Sequence, residues 1–140
     1  MFFVFFSINN KQTQKVMRRE FNVLCEIDSL KGFNDVTTFH FSVERTERHN
    51  KIVNIIGKGK CVAMFVVDTA HINGNEIHCV YDNGVIVIYN ERTKRLITEL
   101  IARPQQIYRY WNNLGISFPQ KYNNIISKAR IHQEKGYNNW

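Results

Sequence analysis

A chain of 140 residues with 44% hydrophobic and 22% charged side chains can bury a core without disulfide or metal staples, and is expected to form a single domain. Its formal net charge of +7 disfavours a cationic partner and points to a polyanion, nucleic acid above all. Cys25, Cys61 and Cys79 are odd in number and lack metal-ligand spacing, which fits a reduced cytoplasmic protein rather than a disulfide or zinc framework.

The apolar run Phe2-Phe3-Val4-Phe5-Phe6 is shorter than a signal-peptide core of about 7–15 residues or a spanning helix of about 20. No membrane partner is expected. Residues 1–16 read as a strand, a packed arm or a translated leader ahead of Met17. Apolar positions at Val16, Met17, Phe21, Leu24, Ile27 and Leu30 predict a helix over Lys15–Leu30, ended by Lys31-Gly32. Val36–Val43 alternates as a half-buried strand. Lys51–Ile56 and Cys61–Asp68 flank Gly57-Lys58-Gly59-Lys60 and read as a hairpin, with a helix over residues 46–57 as the competing reading. The glycines resemble a phosphate loop only superficially, because a longer glycine loop, a Ser/Thr and a helix do not follow.

Fold and chemistry are clearest together in Ala70–Pro104. Glu76–Tyr81 and Val85–Tyr89 are β-branched and aromatic runs around Asp82-Asn83-Gly84, which predicts a hairpin with Asn83 and Gly84 as its two turn residues. Arg95–Ile101 reads as the next strand of a meander, closed by Arg103-Pro104. That register sets His78 opposite Tyr89, and the four-residue link Glu91–Lys94 sets Thr98 opposite Val87. His78, Tyr89 and Thr98 then share one face, while Ile77, Cys79, Tyr81, Ile86 and Ile88 share the other. Beyond Pro104 the period becomes helical: Ile107, Tyr110, Trp111 and Leu114 form one face, with Gly115 as a stop. Ser117-Phe118-Pro119 opens a second helix that buries Tyr122, Ile125, Ile126 and Ala129. Gly136–Trp140 is expected to fray.

Metal-free RNA cleavage needs a base for the 2′-OH, an acid for the leaving oxygen and a cation for the phosphate. His71, in a polar loop, and His78 suit the first two roles because imidazole titrates near neutral pH. Arg103 could clamp the phosphate, and Thr98 or Tyr89 could add a hydrogen bond. Each has a plainer reading: His71 as a loop residue, His78 as a strand residue beside Tyr89, Arg103 bonding a carbonyl. A metal site built on His71, Glu76 and His78 lacks a carboxylate cluster, Asp68 stands alone, and Cys79 reads as inert core. No cofactor is expected. From Arg103 onward six cations, among them Lys121, Lys128 and Arg130, face one acid, Glu134. The aromatics interleaved with them suit base stacking, although Tyr110 and Trp111 read better as core; Tyr108 and Arg109 are left to face outward.

A helical N-terminal part, an antiparallel meander, a histidine ahead of a hairpin and the closing Leu96-Ile97-Thr98 resemble the BECR superfamily. These are the barnase, EndoU, colicin-type and RelE-like metal-independent ribonucleases. The segment HINGNEIHCVYDNGVIVIYNERTKRLITELIARP is similar in style to phage and mobile-element members. The resemblance spans about residues 35–110 and implies a site of His71, His78 and Thr98, with Arg103 beside it. Two helices after Pro104 depart from the compact members. The expectation is an α+β fold: a twisted antiparallel β-meander of four to five strands packed against helices on one face. Residues 17–104 would hold the first helix and the sheet, and residues 105–135 the C-terminal helices. The expected function is a toxin-like, metal-independent endoribonuclease, with RNA and a protein inhibitor or antitoxin as partners. The alternatives are a basic, non-enzymatic module contacting nucleic acid or a nucleoprotein complex, and an oligomer-forming structural domain.

Overall fold

The structure is a computed structural model that describes residues 21–27, 46–69 and 74–139. Five strands pair antiparallel in sequence order: β1 (Asn22–Glu26), β2 (Cys61–Asp68), β3 (Glu76–Tyr81), β4 (Val85–Asn90) and β5 (Leu96–Ile101). Helices α1 (Thr46–Ile56), α2 (Pro104–Leu114) and α3 (Asn123–Glu134) accompany them. This is the expected α+β meander, but its helices divide between the two faces. Among the described residues no helix is long and apolar enough to cross a membrane.

Side-chain alternation along the central strand builds two cores. Ile77, Cys79 and Tyr81 pack with Val66, Val85, Val87, Tyr89 and Ile101 beneath Ile52 of α1. Val80 joins Phe65, Val67 and Ile86 on the other face, beneath Ile107, Tyr110 and Trp111 of α2 and Ile125, Ile126 and Ala129 of α3. Burial on both faces explains why β3 and β4 read as nearly continuous apolar runs.

Three expectations give way. Over residues 22–26 the helix foreseen within Lys15–Leu30 is strand β1, which pairs with β2 across a bulge and buries Val23 while Leu24 and Cys25 stay exposed. Sheet pairing overrides a helical spacing that this segment has no face to bury. Lys51–Ile56 belongs to helix α1, the competing reading, rather than to a hairpin arm. Gly57 in the left-handed region (φ 90°) ends that helix. The third concerns register. The first hairpin has a three-residue loop with Gly84 left-handed (φ 89°), the geometry of a type I turn followed by a bulge. It sets His78 opposite Ile88 and sends Tyr89 to the α1 face opposite Ile77. Ile86 and Ile88 correspondingly move to the α2/α3 face. The strand Val36–Val43 and the apolar N-terminal run lie outside the described residues.

The two helices after Pro104 match their predicted faces. Gly115, left-handed at φ 75°, caps α2, and Tyr122 adds a bond from its hydroxyl to the Val62 carbonyl, 3.0 Å, at the β2 bulge. Of the stretch Gly136–Trp140 expected to fray, Tyr137–Asn139 form a 3₁₀ turn, in which Asn138 Nδ2 donates to the Ile101 carbonyl at 2.6 Å; Trp140 lies outside the described residues. Arg48 Nε donates to the Glu99 carbonyl at 2.9 Å. Those two carbonyls point outward from β5, since Val85–Ile101 and Val87–Glu99 are its non-hydrogen-bonded pairs. On the outer side of β1, Asn113 accepts from the Val23 N–H (2.7 Å) and donates to the Phe21 carbonyl (3.0 Å). Both edges of the described sheet are thus partly occupied by side chains, which discourages edge-to-edge pairing.

Candidate functional site

One row of paired residues crosses the α2/α3 face: Phe65, His78, Ile88 and Thr98. Glu76, two residues before His78, lies on the same face of β3 beside Val67. A cavity of about 330 Å³ opens over this end of the sheet, within the range of ligand clefts. Its described lining includes Phe21, Asp68, Thr69, Glu76, His78, Thr98 and Arg109, with Val67, Ile88 and Ile97 as apolar floor.

His78 is held at both ring nitrogens. Nδ1 meets the Tyr110 hydroxyl at 2.7 Å and Nε2 meets Glu76 Oε1 at 2.9 Å. The imidazole is 4% exposed. Tyr110 is fully buried, stacked on Phe65 with ring centroids 4.8 Å apart. Burial pushes the Tyr110 phenol up, so it stays protonated at neutral pH, while the charge of the nearby Arg109 guanidinium pulls the other way. Arg109 also covers the Phe21 ring at 3.9 Å, a cation–π contact that holds the guanidinium at the cavity wall. The Glu76 side chain keeps 19% of its surface, so it reaches the cavity where the imidazole barely does.

Of the predicted residues, His78 and Thr98 come together, and Arg109 joins them. Arg103 does not line the cavity. It precedes α2 beyond Ile101, whose partner is Val85 at the turn, and its backbone N–H donates to Gln106 Oε1 at 2.8 Å. Tyr108, half-buried, packs edge-on against Phe118 at 4.8 Å. Lys121 lies 5.2 Å from the Tyr122 ring. Lys128 Nζ reaches the Asp82 carbonyl at 3.3 Å, at the turn end of the sheet, and Arg130 is exposed on α3. His71 lies outside the described residues.

Glu76, Asp68 and Tyr110 were not singled out for catalysis by sequence reasoning. Glu76 carried a signal, because residues two apart on a strand share a face. Asp68 and Tyr110 carried none, since their places depend on how β2 and α2 pack. Among the described residues no three His, Cys, Asp or Glu side chains gather as metal ligands. Comparison with protein-family models, curated proteins and solved structures found no match for this chain.

Proposed function

We propose that the cavity over β3 and β5 binds an RNA phosphodiester and cleaves it through the RNA's own 2′-OH, without a metal ion. The observation that carries this reading is the meeting of His78 and Thr98 in one cavity with Glu76 and Arg109. Glu76 takes the base role in place of one of the two histidines to which sequence reasoning gave the acid and base roles together, because the carboxylate reaches the cavity and the His78 imidazole stands behind it. Arg109 neutralises the phosphate, and the Thr98 hydroxyl supplies a neutral donor. His71, from sequence alone, is assigned the acid role. The toxin-like, cytoplasmic, phage or mobile-element setting and an inhibitor partner belong to the same proposal.

The experiment is cleavage of single-stranded RNA in EDTA, with end-group analysis. The expected products carry 2′,3′-cyclic phosphates. Removing a general acid or base costs about 10²–10⁴ in rate, so Glu76→Gln and His71→Ala should nearly abolish cutting while RNA is still retained. Cleavage that needs a divalent ion, or survives Glu76→Gln at full rate, overturns the reading. Retention without cleavage favours the basic module, a reading supported by the exposed Lys121, Lys128 and Arg130 away from the cavity.

A further inference from the structure

The cavity lining sets two acidic side chains, Asp68 and Glu76, against one guanidinium, Arg109. That is little positive charge for a phosphodiester chain, and more of it stands at the rim. The link between β4 and β5 carries Arg92, Lys94 and Arg95, all exposed, against a single acid, Glu91. Neither Arg92 nor Arg95 forms an ion pair among the described residues. Strand pairing brings this link to the cavity. Glu76 is opposite Asn90, and the Asn90 N–H donates to the Arg95 carbonyl at 2.9 Å. Glu76, Asn90 and Arg95 thus form one row from β3 to the start of β5. Adjacent strands lie about 4.8 Å apart, so the backbones of Glu76 and Arg95 are separated by roughly 10 Å. Ile97 and Thr98, just beyond Arg95, line the cavity. Arg109 covers Phe21 on the β1 side and the link lies on the β5 side, so cations flank Glu76 in both directions.

The link is also tied down before any ligand arrives. The Lys94 N–H donates to the Asn90 carbonyl at 2.8 Å, and the Glu91 N–H to the Asn75 carbonyl at 3.0 Å. Asn90 Oδ1 accepts from the Thr93 N–H at 2.8 Å, and Thr93 Oγ1 from the Arg95 N–H at 3.3 Å. Lys94 is left-handed at φ 60°, the one non-glycine residue with a positive φ among those described. Glycine or asparagine adopts that conformation at less cost, so a lysine there carries strain that a plain turn does not need.

We propose that this link is a second phosphate-binding station, where Arg92 and Arg95, with Lys94, hold the phosphate next to the one in the cavity. The proposal rests on the RNA reading of the cavity and adds a substrate class: single-stranded RNA of several nucleotides, laid across the sheet from Arg109 to Arg95. Guanidinium groups suit phosphate oxygens through paired hydrogen bonds, and a turn fixed in advance loses little freedom on binding. A dinucleotide carries one phosphodiester and cannot fill both stations.

The test compares cleavage of a dinucleotide and a hexanucleotide, and follows binding of the uncleavable 2′-deoxy hexanucleotide by fluorescence anisotropy. Wild-type kcat/KM should be higher on the hexanucleotide. Arg92→Gln with Arg95→Gln should cut that advantage, and the hexanucleotide affinity, about tenfold or more, as expected for a lost charged contact. The salt slope of binding should fall by about 1.4. Lys58→Gln with Lys60→Gln removes the same charge from exposed positions at the far end of the sheet, where the Lys60 N–H meets Asp82. That variant should keep both the advantage and the affinity. A wild type without the preference, a preference and affinity that survive the arginine changes, or an equal loss in the lysine variant overturns the proposal. So does a loss of binding to a polyglutamate peptide with none to the hexanucleotide, which would make the link a seat for an acidic protein. If the wild type cleaves neither substrate, the catalytic reading of the cavity falls, and the anisotropy comparison still decides the role of the link.

Discussion

Gly59 and Asn83 pack so closely that a methyl group on Gly59 would stand 2.7 Å from the Asn83 side-chain carbon. Asn83 is 4% exposed; its amide donates to the Gly57 carbonyl (3.0 Å) and accepts from the Val85 N–H (3.1 Å). Beside it the Lys60 N–H donates to Asp82 Oδ1 at 2.9 Å, and the Asp82 N–H returns a bond to the Lys60 carbonyl at 3.0 Å. The glycine-lysine link after α1 is thus a seat for the β3–β4 turn, not a phosphate loop.

Gly59→Ala should therefore destabilise the fold by about 1–3 kcal/mol, the usual cost of overpacking. Asn83→Ala should cost a similar amount, roughly 1–3 kcal/mol, through buried groups left unbonded. Combined, the two changes should cost less than their sum, because the second removes the atoms that the first collides with. Urea unfolding of the three variants checks this; an unperturbed Gly59→Ala would show that the contact is not tight in solution.

The same turn explains how much of the site was legible. The Asn-Gly pair and the alternating runs made the hairpin readable, but not whether its loop held two or three residues. The extra residue moved every β3–β4 pair by one and sent Tyr89 to the other core. A second shift then restored the outcome for Thr98. Asn90 and Arg95 pair as the four-residue link required, with Asn90 N–H to the Arg95 carbonyl at 2.9 Å, but a bulge between Ile88 and Tyr89 advances β5 by one. His78 and Thr98 share a face because both pair with Ile88. The place of Arg109 and Tyr110 was beyond reach, since a helical face shows which residues are buried and not which strand they meet.

His132 supplies a pH-dependent test. It is 9% exposed, its ring lying against the left-handed Gly84, and burial, with Lys128 and Lys135 adding to it, lowers its pKa. The unfolded chain then takes up a proton near pH 6.5 that the folded chain binds only at lower pH. Stability should fall as the pH drops below about 6.5 and continue falling until the folded imidazole titrates. Thermal melts should show a weaker loss in His132→Gln over this window; equal slopes in both proteins would refute the assignment.

On the sheet face away from the cavity, His49 Nδ1 meets Glu99 Oε1 at 2.8 Å, with Glu99 fully buried. Removing the imidazole takes a hydrogen bond away from a buried carboxyl group, at a cost of about 1–3 kcal/mol. His49→Ala should lose that much in chemical denaturation. Replacing both, as His49→Leu with Glu99→Met, should recover most of it, because apolar groups of similar size commonly equal or exceed such a pair. If the double variant is no better than His49→Ala, the pair contributes more than its own neutralisation.

RNA binding and cleavage should separate along the sheet. Arg109 stands at the cavity near Glu76, whereas Lys128 lies by Asp82 at the turn, the far end of β3. Exposed cations act on a long polyanion through counterion release, each lowering the salt slope by roughly 0.7 on single strands. Lys121→Glu with Arg130→Glu should reduce that slope by about 1.4 or more and weaken retention of long RNA in every sequence context. These changes touch no cavity residue, so kcat/KM on a dinucleotide should change little. Arg109→Met should do the opposite, slowing dinucleotide cleavage while long RNA is still held by the remaining cations. Should Lys121→Glu with Arg130→Glu abolish dinucleotide cleavage too, the chemistry would have to sit at the α3 surface rather than over His78 and Thr98. A retention that does not vary with salt would exclude RNA as the polyanion this surface binds.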